Sequence, residues 1–181
     1  MGVLRMKQTE SVISTYAADV SGVCSALYEM GGMTVMHDAS GCNSTYNTHD
    51  EPRWYDTPSM VYISALSELE AVMGDEEKLI ADICETAAQL NPRFIAVAGT
   101  PIPMMMGTDF SGVARLIERR TGIPAFGFAT NGMHSYLLGA GRALAAVAGR
   151  FCPDGIRPEG GARPVVNLLG ATPLDFSVGG S

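Results

Sequence analysis

The sequence predicts a three-layer α/β fold: a Rossmann-like parallel sheet with helices on both faces (αβα). Strand, loop and helix signals follow one another at a spacing of about thirty residues, the rhythm of βαβ crossovers. The strand candidates are continuous apolar runs, such as FIAVAG at 94–99, rather than alternating ones. Strands covered on both faces read this way. Helix-spaced stripes lie between them.

Taken in order, residues 1–20 form a polar lead-in and 21–151 the main domain. SGVCSALYEM (21–30) has helix spacing, with Ser21 as N-cap and Gly31-Gly32 as the stop. MTVMHD (33–38) reads as a short strand opening into a polar loop, and MVYISAL (60–66) as a second strand after an irregular connection. A helix starts at Gly74 or Asp75, with acidic residues in its first turn and Leu79, Ile80, Ile83, Cys84 and Ala87 as its apolar stripe. Cys84 therefore reads as a core residue. Pro92 ends that helix, and RFIAVAG (93–99) is a buried strand. A loop, TPIPMMMGTD, precedes a helix through FSGVARLIERR. Strand PAFGFA (124–129) and a small-residue helix at 134–151 complete the domain. A Pro/Gly-rich linker (152–163) leads to the apolar run VVNLLG; residues 164–181 begin a truncated second domain or form a closing strand.

In such sheets ligands sit beyond the carboxyl ends of the strands, so the loops 38–47, 99–109 and 129–134 should share one edge. The first carries the densest group of reactive side chains, MHDASGCNSTYNTHD at 36–50. Cys42 follows Gly41, a place where a thiol is exposed without crowding, as a ligand or nucleophile requires; the alternative is an inert cysteine. Cys24, among Ala and Leu on a helix, is a small core hydrophobe or a second donor. His37 and Asp38 at a strand end read first as hydrogen-bonded structural residues, and His49 and Asp50 as surface or interface residues. Cys42, His37 and His49 match no zinc spacing. The adjacent Met104, Met105 and Met106 cannot all face one core, so some should meet a partner or ligand.

Composition excludes several classes. The chain of 181 residues has a formal charge of −7, with its 12 basic residues scattered, which argues against a nucleic-acid surface. No apolar run is long enough to span a membrane, and the N-terminus lacks a signal peptide's apolar core. A cytoplasmic protein is expected, and in that reducing compartment the 4 cysteines are free thiols or metal ligands before disulfides. There is no GxSxG elbow, Walker A loop or GxGxxG after a strand.

Four segments together resemble the nitrogenase component 1 type oxidoreductase family. SGVCSALYEMGGMTVMHDASGCNSTY (21–46) is similar to the family's helix, strand and HGxxGC loop, with His37, Gly41 and Cys42 in register. SELEAVMGDEEKLIADI (67–83) resembles its acidic segment ending in GGEEKL. NPRFIAVAGTPIPMMMGTD (91–109) resembles the strand that leads to its Thr-Cys pair, placing Thr100 in register, and VVNLLGATP (165–173) the strand opening its next domain. The likeness runs in consistent order over residues 17–170.

The resemblance implies the first domain of a subunit that holds an iron–sulfur cluster at an interface. A homodimer or a paralogous subunit would form that interface, and an ATP-dependent reductase would deliver electrons there. Two departures stand out: the family's cysteine after Thr falls on Pro101, and its first cysteine falls in YAADVS, which has none. Cys42 is then the ligand in register, with Cys24 as a substitute second donor. Two such thiols from each of two chains suit a 4Fe–4S cluster. Gly41, His37, Thr100 and Asp38 would frame the site, and Asp19 or Asp38 would offer an oxygen donor. The resemblance equally admits a metallocofactor assembly scaffold or carrier without catalysis, and Pro101 admits a cluster-free structural subunit.

Overall fold

The computed structural model describes residues 18–39, 43, 51, 53–55, 57–74 and 76–152. They form α1 (Asp19–Leu27), β1 (Met33–His37), β2 (Val61–Ile63), α2 (Glu68–Met73), α3 (Glu77–Leu90), β3 (Ile95–Gly99), α4 (Pro101–Met106), α5 (Phe110–Thr121), β4 (Ala125–Phe128) and α6 (Tyr136–Phe151). The strands are all parallel, in the order β2–β1–β3–β4. Met33 pairs with Ile95 and His37 with Gly99, so β1 and β3 run level along their whole length.

Side-chain alternation divides the sheet into two cores. Met33 and Val35 of β1 with Ile95 and Val97 of β3 pack under α3 and α5, against Leu79, Ile80, Ile83, Phe110, Val113 and Ile117. Met36, Ala96 and Ala98 face α1 and α6, beside Val23, Leu27, Ala140 and Ala143. The large residues of β3 thus meet one helix pair and its alanines the other, and the small side chains let α1 and α6 approach closely. This is the expected three-layer arrangement.

Boundaries differ where tertiary contacts intervene. The helix expected from Ser21 begins at Asp19, with Ala18 as N-cap. Its start is set from outside: the Asp19 amide donates to the His134 carbonyl at 3.0 Å, and Ala18 bridges Ser135. The segment 99–109, expected as a loop, contains α4, whose Pro101 stands at the first helical position, where a fixed φ and a missing N–H cost nothing. Gly107, at φ 82°, ends it. The helix expected from Gly74 or Asp75 is a single helix, α3, starting at Glu77, and an unexpected short helix, α2, precedes it. α2 is nucleated by a capping box between Ser67 and Glu70, and left-handed Gly74 separates it from α3. The methionines divide as anticipated, with Met104 against the core and Met105 exposed. The linker 153–163 and the run from 164 onward lie outside the described residues.

Candidate functional site

Because the strands are parallel, the chain leaves the sheet at one edge after His37, Ile63, Gly99 and Phe128. That edge is tied together by buried side-chain hydrogen bonds. The Thr100 hydroxyl lies 2.8 Å from the His37 carbonyl and 3.0 Å from Asp38 Oδ1, donating toward both. Asp38 Oδ2 accepts from Asn43 Nδ2 at 2.7 Å. Ser64, just past β2, accepts from the Asp38 amide at 3.1 Å, and its Oγ lies 2.8 Å from His37 Nδ1. The Leu66 amide donates to the Asp38 carbonyl at 2.7 Å. On the other side, the Thr130 hydroxyl donates to the Gly99 carbonyl at 2.7 Å. Asp19 closes the row: its carboxylate accepts from the Gly132 amide at 2.8 Å and the Asn131 amide at 3.3 Å, with His134 Nδ1 3.4 Å away.

His37 is buried, packed edge-on against Phe110 with ring centroids 6.5 Å apart. Burial holds its imidazole below the ordinary value of 6.5, favouring the neutral ring. Asp38 and Thr100 are also buried, and both meet within the hydrogen-bonded edge. Asp38 and Asp19, raised above as oxygen donors, have their carboxylate oxygens engaged by Thr100, Asn43 and main-chain amides.

Cys24 is 0% exposed, in the α1/α6 core. Burial, with Glu51 adding a smaller push, raises its thiol to about 12. A thiolate donor needs the opposite environment. Cys24 also lies five residues along α1 from Asp19, about 7.5 Å from that helix's edge-facing end. Pro101 occupies the start of α4 and offers no donor. Cys42, Gly41, His49 and Asp50 lie outside the described residues. Among the described residues no three His, Cys, Asp or Glu side chains gather to hold a metal. The described donors therefore do not fit an iron–sulfur cluster on their own.

Ser64, Asn43 and Thr130 were not anticipated from the sequence. Their signal was positional: each is a small polar residue just past a strand or within a loop assigned to the same edge. A recess of about 560 Å³ lined by Met30, Arg93, Phe94, Val147 and Phe151 lies at the opposite, amino edge. No helix among the described residues is long and apolar enough to cross a membrane.

A parallel three-layer sheet with its polar residues collected beyond the strand ends defines an α/β protein of the edge-site type. The family profile described as nitrogenase component 1 type oxidoreductase matches residues 19–179, and the chain belongs to that family. The nitrogenase molybdenum-iron protein beta chain of Azospirillum brasilense is 30% identical over 95 residues, covering 52% of this chain and 18% of that protein. The beta chain from Sinorhizobium fredii is 26% identical over 92 residues, with 51% and 18% covered. The chain thus spans about a fifth of the length of these curated relatives. A solved structure titled "Nitrogenase Cp1 at pH 5" superposes with a TM-score of 0.65 at 19% identity, covering 87% of this chain and 34% of that one. "Nitrogenase Cp1 at pH 6.5" gives the same TM-score, with 86% and 32% covered. These superpositions concern the fold alone.

Proposed function

We propose that this chain is the first domain of a cytoplasmic, nitrogenase-like oxidoreductase subunit. In this reading Cys42 supplies a thiolate to an iron–sulfur cluster shared with a second subunit, and an ATP-dependent reductase supplies its electrons. The observation that carries the reading is the joined β1–β3 edge, where Thr100 is hydrogen-bonded to His37 and Asp38, and Asp38 stands four residues before Cys42 in the sequence. When bound, such a cluster supplies one-electron redox chemistry on thiolate-held iron. The chain's own residues supply the frame: a neutral His37, a tethered Asp38, and a Thr100 hydroxyl committed to both. Cys24 takes a packing role here, so the remaining thiolates would come from the second subunit or from outside the described residues.

Buried Cys24 and proline at position 101 specifically favour a second reading, a cluster-free structural subunit. Anaerobic reconstitution of the 181-residue chain with iron and sulfide separates the two. The first reading expects bound iron and visible charge-transfer absorbance, both lost in Cys42→Ser and retained in Cys24→Ala. Wild-type protein that binds no iron, alone or with its partner subunit, overturns it in favour of the second.

A further inference from the structure

We infer that Asp38 is a positioning residue that fixes the spacing between the loops leaving β1 and β3. It rests on the proposed role of Cys42 only for its consequence, since the geometry involves neighbouring residues. Four groups on three segments converge on this one residue: Thr100 after β3, Asn43 farther along its own loop, and Ser64 with the Leu66 amide after β2. One carboxylate oxygen faces Thr100 and the other Asn43, so the carboxylate joins the β3 exit to the residue directly after Cys42. A planar carboxylate is suited to this task, because it presents two acceptors in fixed directions. A hydrophobic side chain at the same place would leave the fully buried Thr100 hydroxyl with one acceptor fewer and Asn43 with none from this residue.

Residue 42 directly precedes Asn43 in the chain, so its reactivity reports on the Asp38–Asn43 tie with or without a metal. The test is the alkylation rate of Cys42 in the metal-free chain, read by mass spectrometry with Cys152 as the exposed internal reference. Asp38→Ala and Thr100→Val should each change the Cys42 rate relative to Cys152 by about fivefold or more, because thiol reactivity follows local environment. Asp38→Asn should stay within about twofold, since an amide still accepts from Thr100 and Asn43 can turn its own amide to pair with it. Far-UV circular dichroism establishes folding, and if Asp38→Ala does not fold, Thr100→Val and Asp38→Asn decide. Rates within about twofold of wild type in folded Asp38→Ala or Thr100→Val overturn the inference, as does failure of Asp38→Asn to rescue. If the wild-type chain binds iron, its electron paramagnetic resonance line shape should change in Thr100→Val and not in Asp38→Asn. If it binds none, the proposed function fails while the alkylation result still judges Asp38.

Discussion

Gly22 of α1 lies so close to Tyr136 of α6 that a methyl group in place of its hydrogen would overlap the Tyr136 carbonyl oxygen. The contact is reciprocal one turn away, where a Cβ on Gly139 would strike the Asp19 carbonyl. Both obstacles are main chain, so neither can rotate aside. This crossing brings the start of α1 to the loop at 131–134 and thereby sets Asp19 into the site edge.

Gly22→Ala and Gly139→Ala should each destabilise the protein by about 3 kcal/mol, the upper range for overpacking against a rigid neighbour. Urea denaturation at constant m-value measures this. Gly141→Ala is the control. No neighbouring atom lies within 4 Å of a Cβ there, and removing a mid-helix glycine should stabilise by about 0.5–1 kcal/mol.

Cys24 should resist alkylation in the native state while Cys152 reacts, because one thiol is buried and the other exposed. Its unfolded thiol titrates near 9 and its folded thiol at about 12. The stability it contributes is therefore complete below pH 9 and is lost as pH rises from 9 toward 12. Cys24→Ala should flatten that alkaline decline in a series of denaturation curves.

His37 gives the opposite slope. Its imidazole is held below 6.5, chiefly by burial, so on acidification the unfolded chain takes up the proton first. Stability is full above pH 6.5, falls as pH drops below that value, and levels off once the folded ring is also protonated. His37→Gln should lose this component of the acid slope in the same measurement.

Arg53 joins the segment after the first loop to α1. It contacts Glu51 at 2.7 Å, Glu29 at 3.2 Å and the Ser25 carbonyl at 3.0 Å, with its guanidinium 4.4 Å from the Tyr28 ring centre. Glu51 is buried, so Arg53→Met would leave a carboxylate without the guanidinium that compensates it. A loss of about 3–5 kcal/mol is expected. Arg53→Lys should lose part of it, because an ammonium cannot serve the same partners with a planar fork. Thermal or urea unfolding distinguishes the three.

Much of the fold was legible because it follows local periodicity. Continuous apolar runs marked β1, β3 and β4, and the stripe from Leu79 to Ala87 marked α3. The parallel arrangement then placed the loops after His37, Gly99 and Phe128 on one edge, since right-handed crossovers leave little alternative. What escaped was either short or stabilised at a distance. α2 has no buried residue to leave an apolar signature, and its capping box is a two-residue signal. α4 is a single proline-led turn and a half whose methionines fall on different faces.

The amino-acid sequence by itself determined the layer architecture, the edge on which polar chemistry collects, and the family, through ordered segments that each need only local reading. Tertiary structure decided what those side chains do. Cys24 read as a small core hydrophobe or, through the family resemblance, a second donor, and its fully buried place between α1 and α6 raises its thiol away from the ionised form a ligand requires. Asp38 read as a hydrogen-bonded residue at a strand end, but its partner was set only by the fold, because Thr100, distant in sequence, meets it across the β1–β3 ladder. The physical reason is the same in both cases: desolvation and hydrogen-bond partnership are properties of the surroundings, which a chain acquires only when separate segments are packed together.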